Sequence, residues 1–433
     1  MRKVLIITYY WPPSGGAGVQ RWLKFVKYLR EFGWEPVIYT PSNPGFPVID
    51  DTLARDIPEG IEVLMTPIWE PYEFYKKMTG KKSNEYLNTG LSIPKKSPGL
   101  VEKLSVWIRG NLFIPDARKF WINPSVRYLT KYLEDHQVNA IVSTGPPHSM
   151  HLIALKIKAR LNIPWLADFR DPWTDIDYYK DLKISPFADR RHKKLELMTV
   201  KSCSAMVVVS REMQKNYEKL GGANVHVITN GFDPADMVVD EVNRDAGFSI
   251  SHIGTLPPGI NLKGLWQILS ELCDTVPNFR NNLEIKLVGK VTSEVIDNLS
   301  EFNLSDNLVL IDYVPHDKVA TLLKQTAVPL LAINKDSPNA KGILTGKFFE
   351  YLASGRPILT IGPTDGDLAM IIEDAAAGYI AQYDDLEAIK KNVLELYDNY
   401  LHNTLTINPK GIEKYTRQNL TANLAAVLDR MVQ

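Results

Sequence analysis

Four ionisable side chains follow two apolar runs in the first half of the chain. His148 follows one run, and Asp168, Arg170 and Asp171 end or follow the next. If these runs are buried strands, the four groups stand at strand carboxyl ends, where ligands bind in doubly wound folds. They are therefore candidates for contact with a substrate. The alternative is that Arg170 and Asp171 pair with each other or cap the next segment.

A glycine-rich loop, 12–18, separates the first apolar run from the first helical pattern. Gly15 and Gly16 would let backbone amides approach an anion at a helix N-terminus, where the macrodipole favours negative charge. Arg21 stands where the dinucleotide fingerprint has its third glycine, and the loop lacks the lysine–serine pair of a P-loop. A phosphate contact and a plain strand-to-helix turn are both open interpretations.

The second half of the chain contains a similar arrangement. Gly254 and Thr255 end an apolar run, and Lys263 opens the helical pattern that follows. An ammonium beside a helix N-terminus forms a cationic pocket suited to a diphosphate. A single lysine is otherwise usually exposed to solvent.

The segment 345–357 supports the nucleotide interpretation. It predicts a helix that starts near Thr345 and Gly346, with Phe348, Phe349, Leu352 and Ala353 on its apolar face. Lys347 and Glu350 share the other face, either as an exposed pair or as part of a site. In the second case the helix N-terminus would face phosphate and Glu350 would accept hydrogen bonds from ribose hydroxyls.

No metal or other cofactor is predicted. The sequence 365–367 has the Asp-x-Asp form of some metal sites, but we interpret it as a loop and helix cap. The phosphate charge would instead be met by Lys263 and by helix termini.

The elements that must position these residues alternate between strand-like and helix-length patterns from end to end. Continuous apolar runs indicate strands buried on both faces of a parallel sheet. The sequence therefore predicts an α/β protein with two doubly wound, Rossmann-like halves facing each other across a cleft. A turn followed by an acidic stretch places the boundary near 230–243.

The charge balance, the cysteine content and the length of the apolar runs exclude some classes of protein. The 433 residues carry 50 basic and 50 acidic side chains, so a bulk nucleic-acid-binding role is excluded and no nucleic-acid partner is predicted. The 2 cysteines show no CxxC pairing, which favours a reducing compartment. No apolar run approaches the ~20 residues that span a bilayer.

An insertion at about 75–119 interrupts the alternation. It combines an excess of basic residues with bulky apolar ones, a mixture that suits an anionic membrane surface or an anionic acceptor. A solvated loop with one packed helix is the alternative.

Three segments together resemble a known enzyme family. They are Val288-Gly289, the run 307–315 that ends at Val314-Pro315, and the run 349–358 around Glu350. They are similar to the donor half of GT-B glycosyltransferases, and most similar to family 4, the retaining enzymes that use nucleoside-diphosphate sugars. The Gly15-Gly16 loop and the run 167–173 resemble the acceptor half of a bacterial subset. Gly342 and Thr255 stand where the family commonly has a glutamate and an arginine.

The resemblance, which covers nearly the full chain, implies a fold and a set of site residues. It implies an acceptor domain at 1–235, a donor domain at 236–411 and a helix at 412–433 that returns to the first domain. Donor contacts are expected at eight positions besides Lys263. They are Thr255, Val288, Gly289, Val314, Thr345, Gly346, Lys347 and Glu350. Catalytic positions are expected at Lys263, His148, Asp168 and Arg170.

It also implies a reaction, which is glycosyl transfer from a nucleoside-diphosphate sugar to an acceptor hydroxyl with retention. The attack would be front-side, and the leaving phosphate would take the acceptor proton. The acceptor would be a glycan or a lipid-linked glycan in cell-surface polysaccharide biosynthesis. The enzyme would be cytoplasmic, or peripheral at the inner face of the cell membrane. A nucleotide-sugar epimerase on the same fold and a catalytically idle sugar-nucleotide-binding subunit are the alternatives.

Overall fold

The computed structural model describes residues 1–46, 48–71, 100–239, 242–257, 260 and 262–433. They form two compact units, the first made of residues 1–229 and 417–433 and the second of residues 230–416. The division between residues 229 and 230 lies at the start of the predicted boundary region, 230–243. Most of the predicted insertion, 75–99, lies outside the described residues.

Within the described residues, the first unit contains a seven-stranded sheet whose order is β3-β2-β1-β4-β5-β6-β7. Its pairings are parallel throughout. The strands are β1 Arg2–Ile7, β2 Trp34–Pro41, β3 Glu62–Thr66, β4 Ala140–Gly145, β5 Trp165–Phe169, β6 Ala205–Val208 and β7 Val225–Val227.

Helices cover both faces of this sheet. They are α1 Ala17–Leu29, α2 Leu100–Asn111, α3 Ile122–Asp135, α4 Ser149–Leu161, α5 Pro186–Ser202, α6 Arg211–Lys219 and, from the end of the chain, α14 Arg417–Met431. Alternate residues of β1 show the two layers, because Leu5 packs among residues of α3 and α4 whereas Val4 packs among those of α1 and α14.

The described part of the second unit contains a six-stranded parallel sheet with the order β10-β9-β8-β11-β12-β13. This order is that of a doubly wound dinucleotide-binding sheet. The strands are β8 Phe248–Ile253, β9 Leu283–Val288, β10 Leu308–Ile311, β11 Val328–Ala332, β12 Ile358–Ile361 and β13 Gly378–Ala381.

Its helices also lie on both faces, over separate hydrophobic clusters. They are α7 Lys263–Thr275, α8 Phe279–Asn282, α9 Ser293–Glu301, α10 His316–Gln325, α11 Gly346–Ala353, α12 Asp367–Ala375 and α13 Leu386–Leu401. Since all pairings within each sheet are parallel, the loops that follow the strands gather at one edge of each sheet. The predicted site residues lie at the ends of strands, as Asp168 and Val288 do, or in and after those loops.

The last helix, α14, packs within the first unit. Leu420, Leu424 and Leu428 recur at the three- and four-residue spacing of one helix face, and all three are buried with residues of α1. Asp429 fixes the same helix to the sheet, because it accepts a hydrogen bond from Trp34 Nε1 at 2.9 Å and pairs with Arg2 at 3.0 Å.

Candidate active site

Lys347 occupies the carboxyl end of the second unit's sheet. Its Nζ donates to the carbonyl oxygen of Thr255 at 3.1 Å and lies 3.4 Å from His252 Nε2. Gly254, between these two residues, has φ +119, and a Cβ atom there would lie 2.5 Å from Lys347 Cε. Only a residue without a side chain therefore lets the lysine cross the end of β8.

The charge state of this pair is set by burial. Burial lowers the pKa of Lys347 to about 8, and the nearby Glu350 carboxylate opposes that shift. Burial and the neighbouring Lys347 lower the pKa of His252 to about 3. His252 Nδ1 lies 3.1 Å from the carbonyl oxygen of Leu330, and Nε2 lies 3.3 Å from that of Thr255. With the ring proton on Nδ1, where the contact is shorter, Nε2 can accept from the lysine. The site therefore holds a cation beside a neutral imidazole.

A second glycine adjoins the first. Gly289 follows β9 with φ +102, and a Cβ atom there would lie 3.1 Å from the backbone of Gly254. The two loops are tied together, since the amide of Gly254 donates to the Val288 carbonyl at 2.7 Å. The predicted contacts Thr255, Val288 and Gly289 are thus adjacent. Val314 follows β10 and packs against the same hydrophobic cluster as Val288.

Helix α11 begins beside this loop pair. Phe348, Phe349 and Leu352 are buried, and the Tyr351 hydroxyl accepts from the Ile253 amide at 2.9 Å, which anchors the helix to the end of β8. Thr345, its N-cap residue, has a buried hydroxyl that lacks a hydrogen-bond partner in the part of the chain that the structure describes. The N-terminus of α11 and the Lys347 ammonium together form a place for a negatively charged ligand.

Lys263 lies differently from Lys347. It is the first residue of α7, its side chain is half-exposed, and it pairs with Glu301 at 3.8 Å. Sequence reasoning emphasised Lys263 as the phosphate-binding cation and gave Lys347 no charge role of its own. It also missed His252, although Ser249, Ser251 and His252 form an unusually polar pattern within a buried strand, which was the available signal.

In the first unit, Asp168 forms a buried ion pair. Both oxygens are engaged, because Arg21 Nη2 lies 3.0 Å away, Trp22 Nε1 donates at 2.7 Å and the Thr144 hydroxyl donates at 2.9 Å. Asp168 is 0% exposed. These contacts join α1 to β4 and β5, so Asp168 has a structural position and no oxygen facing solvent.

Arg170 and the glycine loop are also engaged with backbone groups. Arg170 Nη1 donates to the Gly18 carbonyl at 2.5 Å and Nη2 donates to the Pro146 carbonyl, so it joins two loops. Burial raises the pKa of Asp171, and the nearby Arg170 charge opposes that shift. The amide of Gly15 donates to Val48 at 2.9 Å and is not free for an anion. Gly16 is exposed, with φ +84, and precedes α1.

His148 lies at the start of α4, 7% exposed and stacked on Trp173 with ring centroids 4.4 Å apart. A Cβ atom on Gly145 would lie 3.0 Å from His148 Nδ1 and 2.5 Å from His151 Nε2. Neither nitrogen has a hydrogen-bond partner among the described residues. Burial lowers the pKa of His148 well below its usual range and that of His151 to about 3, so both imidazoles are neutral.

A cavity of about 140 Å³ adjoins His148. Its walls are aromatic and cationic, including Trp173, Tyr178, Arg109 and Arg118. Arg118 is paired with Glu70 at 3.0 Å, and the Arg109 guanidinium is of the type that binds anionic groups. The first unit thus offers a second place for a polar ligand.

The two aspartates of the Asp-x-Asp sequence lie in a loop and at the start of a helix. Asp365 pairs with Lys341 at 2.5 Å, and Asp367 is the first residue of α12. These positions are those of a loop and a helix start.

Two family models match successive parts of the chain. Glycosyltransferase Family 4 matches residues 94–236, and Glycosyl transferases group 1 matches residues 247–399. The chain is a family 4-like glycosyltransferase. No curated protein sequence matches it.

Solved structures of similar fold include other glycosyltransferases. S. aureus TarM, determined with UDP and α-GlcNAc-glycerol, is 11% identical with a TM-score of 0.61, covering 99% of this chain and 100% of TarM. WaaG, a glycosyltransferase of lipopolysaccharide biosynthesis, is 12% identical with a TM-score of 0.55, covering 99% of this chain and 98% of WaaG. The predicted GT-B fold class of this glycosyltransferase is confirmed.

An epimerase shares the fold. A putative UDP-N-acetylglucosamine 2-epimerase from Listeria monocytogenes is 13% identical with a TM-score of 0.53, covering 97% of this chain and 94% of its own. At such identities the likeness shows the fold alone, so the assignment as a glycosyltransferase depends on the family models.

Proposed function

We propose that this glycosyltransferase moves a sugar from a nucleoside-diphosphate sugar to a hydroxyl of a glycan or lipid-linked glycan, with retention, in cell-surface polysaccharide biosynthesis. The observation that carries the donor assignment is the Lys347 ammonium held over Gly254 at the N-terminus of α11. A diphosphate is the part of such a donor that this cationic cradle fits.

Lys347 would act on the leaving group. Cleavage of the sugar–phosphate bond develops negative charge on the diphosphate, and a fixed cation stabilises that charge more in the transition state than in the ground state. In this structure the Lys347 ammonium donates a hydrogen bond to the neutral Thr255 carbonyl. A phosphate oxygen of the donor would replace that carbonyl as its partner. Glu350, whose charge acts on Lys347, would accept hydrogen bonds from the ribose.

The acceptor would bind the first unit beside His148. Its buried, neutral imidazole is suited to hydrogen bonding with hydroxyls and not to pairing with anions. The leaving phosphate would take the acceptor proton, so the proposal requires no protein base. It also requires no metal, because the charge is met by Lys347 and α11.

A donor panel with and without acceptor tests this function. Purified protein is incubated with each nucleotide sugar, and released nucleoside diphosphate and new glycan are both measured. Transfer that depends on the acceptor supports the proposal. Conversion of the sugar nucleotide without acceptor would identify an epimerase, and tight binding without turnover of any donor would identify an idle subunit. Activity lost in chelator and restored by manganese would contradict the metal-free mechanism.

An anionic membrane surface is the proposed location of the acceptor. No helix in the described ranges is long and apolar enough to cross a bilayer. Around the predicted insertion, however, Trp69, Trp107 and Phe120 are exposed, and Trp69 and Phe120 pack edge to face at 4.7 Å. Lys119 lies over the Phe120 ring at 5.1 Å. Exposed aromatic rings beside lysine suit a lipid headgroup layer.

Vesicle co-sedimentation tests this location. Binding to anionic vesicles should weaken as salt rises and should fall in a Trp107→Ser variant. Met370→Ser, which changes an exposed apolar residue of the second unit, is the matched control and should bind as the unchanged protein does. No binding at low salt would leave this region without a membrane role.

A further inference from the structure

A second cationic pocket lies at the opposite end of the second unit's sheet. It has a volume of about 320 Å³ and is lined by residues that precede strands, among them Asp245 before β8, Asn282 before β9 and Arg356 before β12. Lys347 and Gly254, by contrast, lie where strands end. Because the strands are parallel, the two sites are on opposite edges of one sheet. The proposed transfer reaction makes no use of this pocket.

Arg356 is the central group of the pocket. It is only 6% exposed, and its Nε donates to the Thr326 carbonyl at 2.8 Å. Its two Nη atoms have no protein partner within the described ranges. Burial lowers the pKa of Arg356 to about 10. A guanidinium buried against one neutral carbonyl bears a large desolvation cost that an anion would offset.

Arg244 adds a second positive charge. It lines the same pocket, its Nη2 contacts the Thr406 hydroxyl at 3.0 Å, and its charge further lowers the pKa of Arg356. Asp245 is the acidic residue among the lining residues that the structure describes, but it is paired with Lys286 at 2.7 Å. Asp245 also acts on Arg356, because its charge opposes the lowering of the Arg356 pKa. The charged lining residues within the described ranges therefore carry two positive charges against one negative charge.

We propose that Arg356 and Arg244 form a phosphate-binding site, distinct from the donor site, for inorganic phosphate or the phosphate group of a small phosphomonoester. The planar fork of an arginine matches two phosphate oxygens, and two forks can bind one phosphate together. The pocket is larger than a phosphate ion, and the walls provided by Tyr400 and Leu405 could contact the organic part of an ester.

Calorimetric titration with inorganic phosphate tests the site on the full chain. The titration is carried out in a Lys347→Ala background, which removes the donor-site cation. One phosphate should bind, and Arg244→Gln should weaken binding at least tenfold. Arg356→Gln should abolish it. Lys391→Gln, which removes an exposed charge from α13, is the matched control and should bind phosphate with unchanged affinity.

Three results would overturn the proposal. They are equal phosphate affinity in the Arg244→Gln and Lys391→Gln variants, binding by the unchanged protein that is absent from the Lys347→Ala protein, and no binding by either protein at millimolar phosphate. If Arg356→Gln fails to fold, as judged by circular dichroism, Arg244→Gln decides alone. A titration with glycerol phosphate separates the sources, because tighter binding of the ester than of phosphate identifies a phosphorylated metabolite and equal binding identifies free phosphate.

Discussion

The side chain of Lys347 passes through the space that a Cβ atom on Gly254 would need, 2.5 Å from Lys347 Cε and 2.6 Å from Nζ. The lysine position therefore depends on a backbone feature of another segment. A change at either residue should alter the same site.

Gly254→Ala should lower kcat/KM for the donor, because the new methyl group would displace Lys347. The substitution also strains the backbone, since φ +119 is unfavourable for any residue with a side chain. Gly411→Ala is the matched control, because Gly411 also has a positive φ, +63, but open space around it. Steady-state kinetics of both variants separate the two effects, and equal losses would contradict the predicted clash.

The pH–rate profile should report Lys347. Its pKa is lowered to about 8, and the cation is the active form, so kcat/KM should be level below pH 8 and fall above it. Lys347→Arg should keep part of the activity and lose this alkaline limb, because a guanidinium stays protonated. Lys347→Ala should lower turnover by about 10²–10³. A profile that rises through pH 8 would exclude the ammonium as the active form.

Lys263 and Glu350 should differ from Lys347 in their kinetics. Lys263→Ala should lower turnover less than Lys347→Ala, since its half-exposed ammonium is already paired with Glu301. Glu350→Gln should raise the donor KM by about tenfold with little change in kcat, because ribose contacts do not change during the reaction. Larger turnover loss from Lys263→Ala would restore Lys263 as the main phosphate-binding residue.

Asp168→Asn should destabilise the protein. The substitution leaves the buried Arg21 guanidinium without its counter-charge, and breaking such a pair costs about 3–5 kcal/mol. Asp135→Asn, which changes an exposed carboxylate at the end of α3, is the control and should change the free energy of unfolding little. Urea denaturation measures both. A fully stable Asp168→Asn protein with low turnover would instead place Asp168 among the catalytic groups.

Stability should fall as pH drops below about 6.5. His151 and His252 are buried with pKa values of about 3, against an ordinary value of 6.5. The unfolded chain therefore binds protons at a pH where the folded chain does not, and each histidine contributes a loss of about 1.4 kcal/mol per pH unit. His252→Asn should reduce this slope in urea denaturation, whereas a change at the exposed His136 should not.

The fold was largely readable from the sequence. Strand β11, between β8 and β12, is buried at every residue and is an apolar run, the pattern from which buried parallel strands were predicted. The edge strand β3 was not predicted, since Glu62 and Met65 are exposed and its pattern resembles a loop.

The site was readable only in part. The glycines and the helix at 345–353 were recognisable because a particular backbone conformation requires a particular residue type, which can be seen in the sequence. Partner choice is not encoded this way. Nothing in the sequence shows that Lys263 pairs with Glu301 whereas Lys347 is held over Gly254. Nor does the sequence show whether a carboxylate at the end of a strand is exposed or, like Asp168, buried in a pair with Arg21.

The chain enters the second unit after Thr229 and leaves it after Thr416, and near these points the Phe232 amide donates to the Tyr415 carbonyl at 3.2 Å. The second unit is therefore a continuous segment of chain whose two ends lie side by side, and it interrupts the sequence of the first unit. Such a segment can be produced alone, or exchanged between relatives, without passing one part of the chain through another. The first unit has the opposite property, because the face of α1 that Leu420, Leu424 and Leu428 cover stays uncovered during translation until α14 has been synthesised.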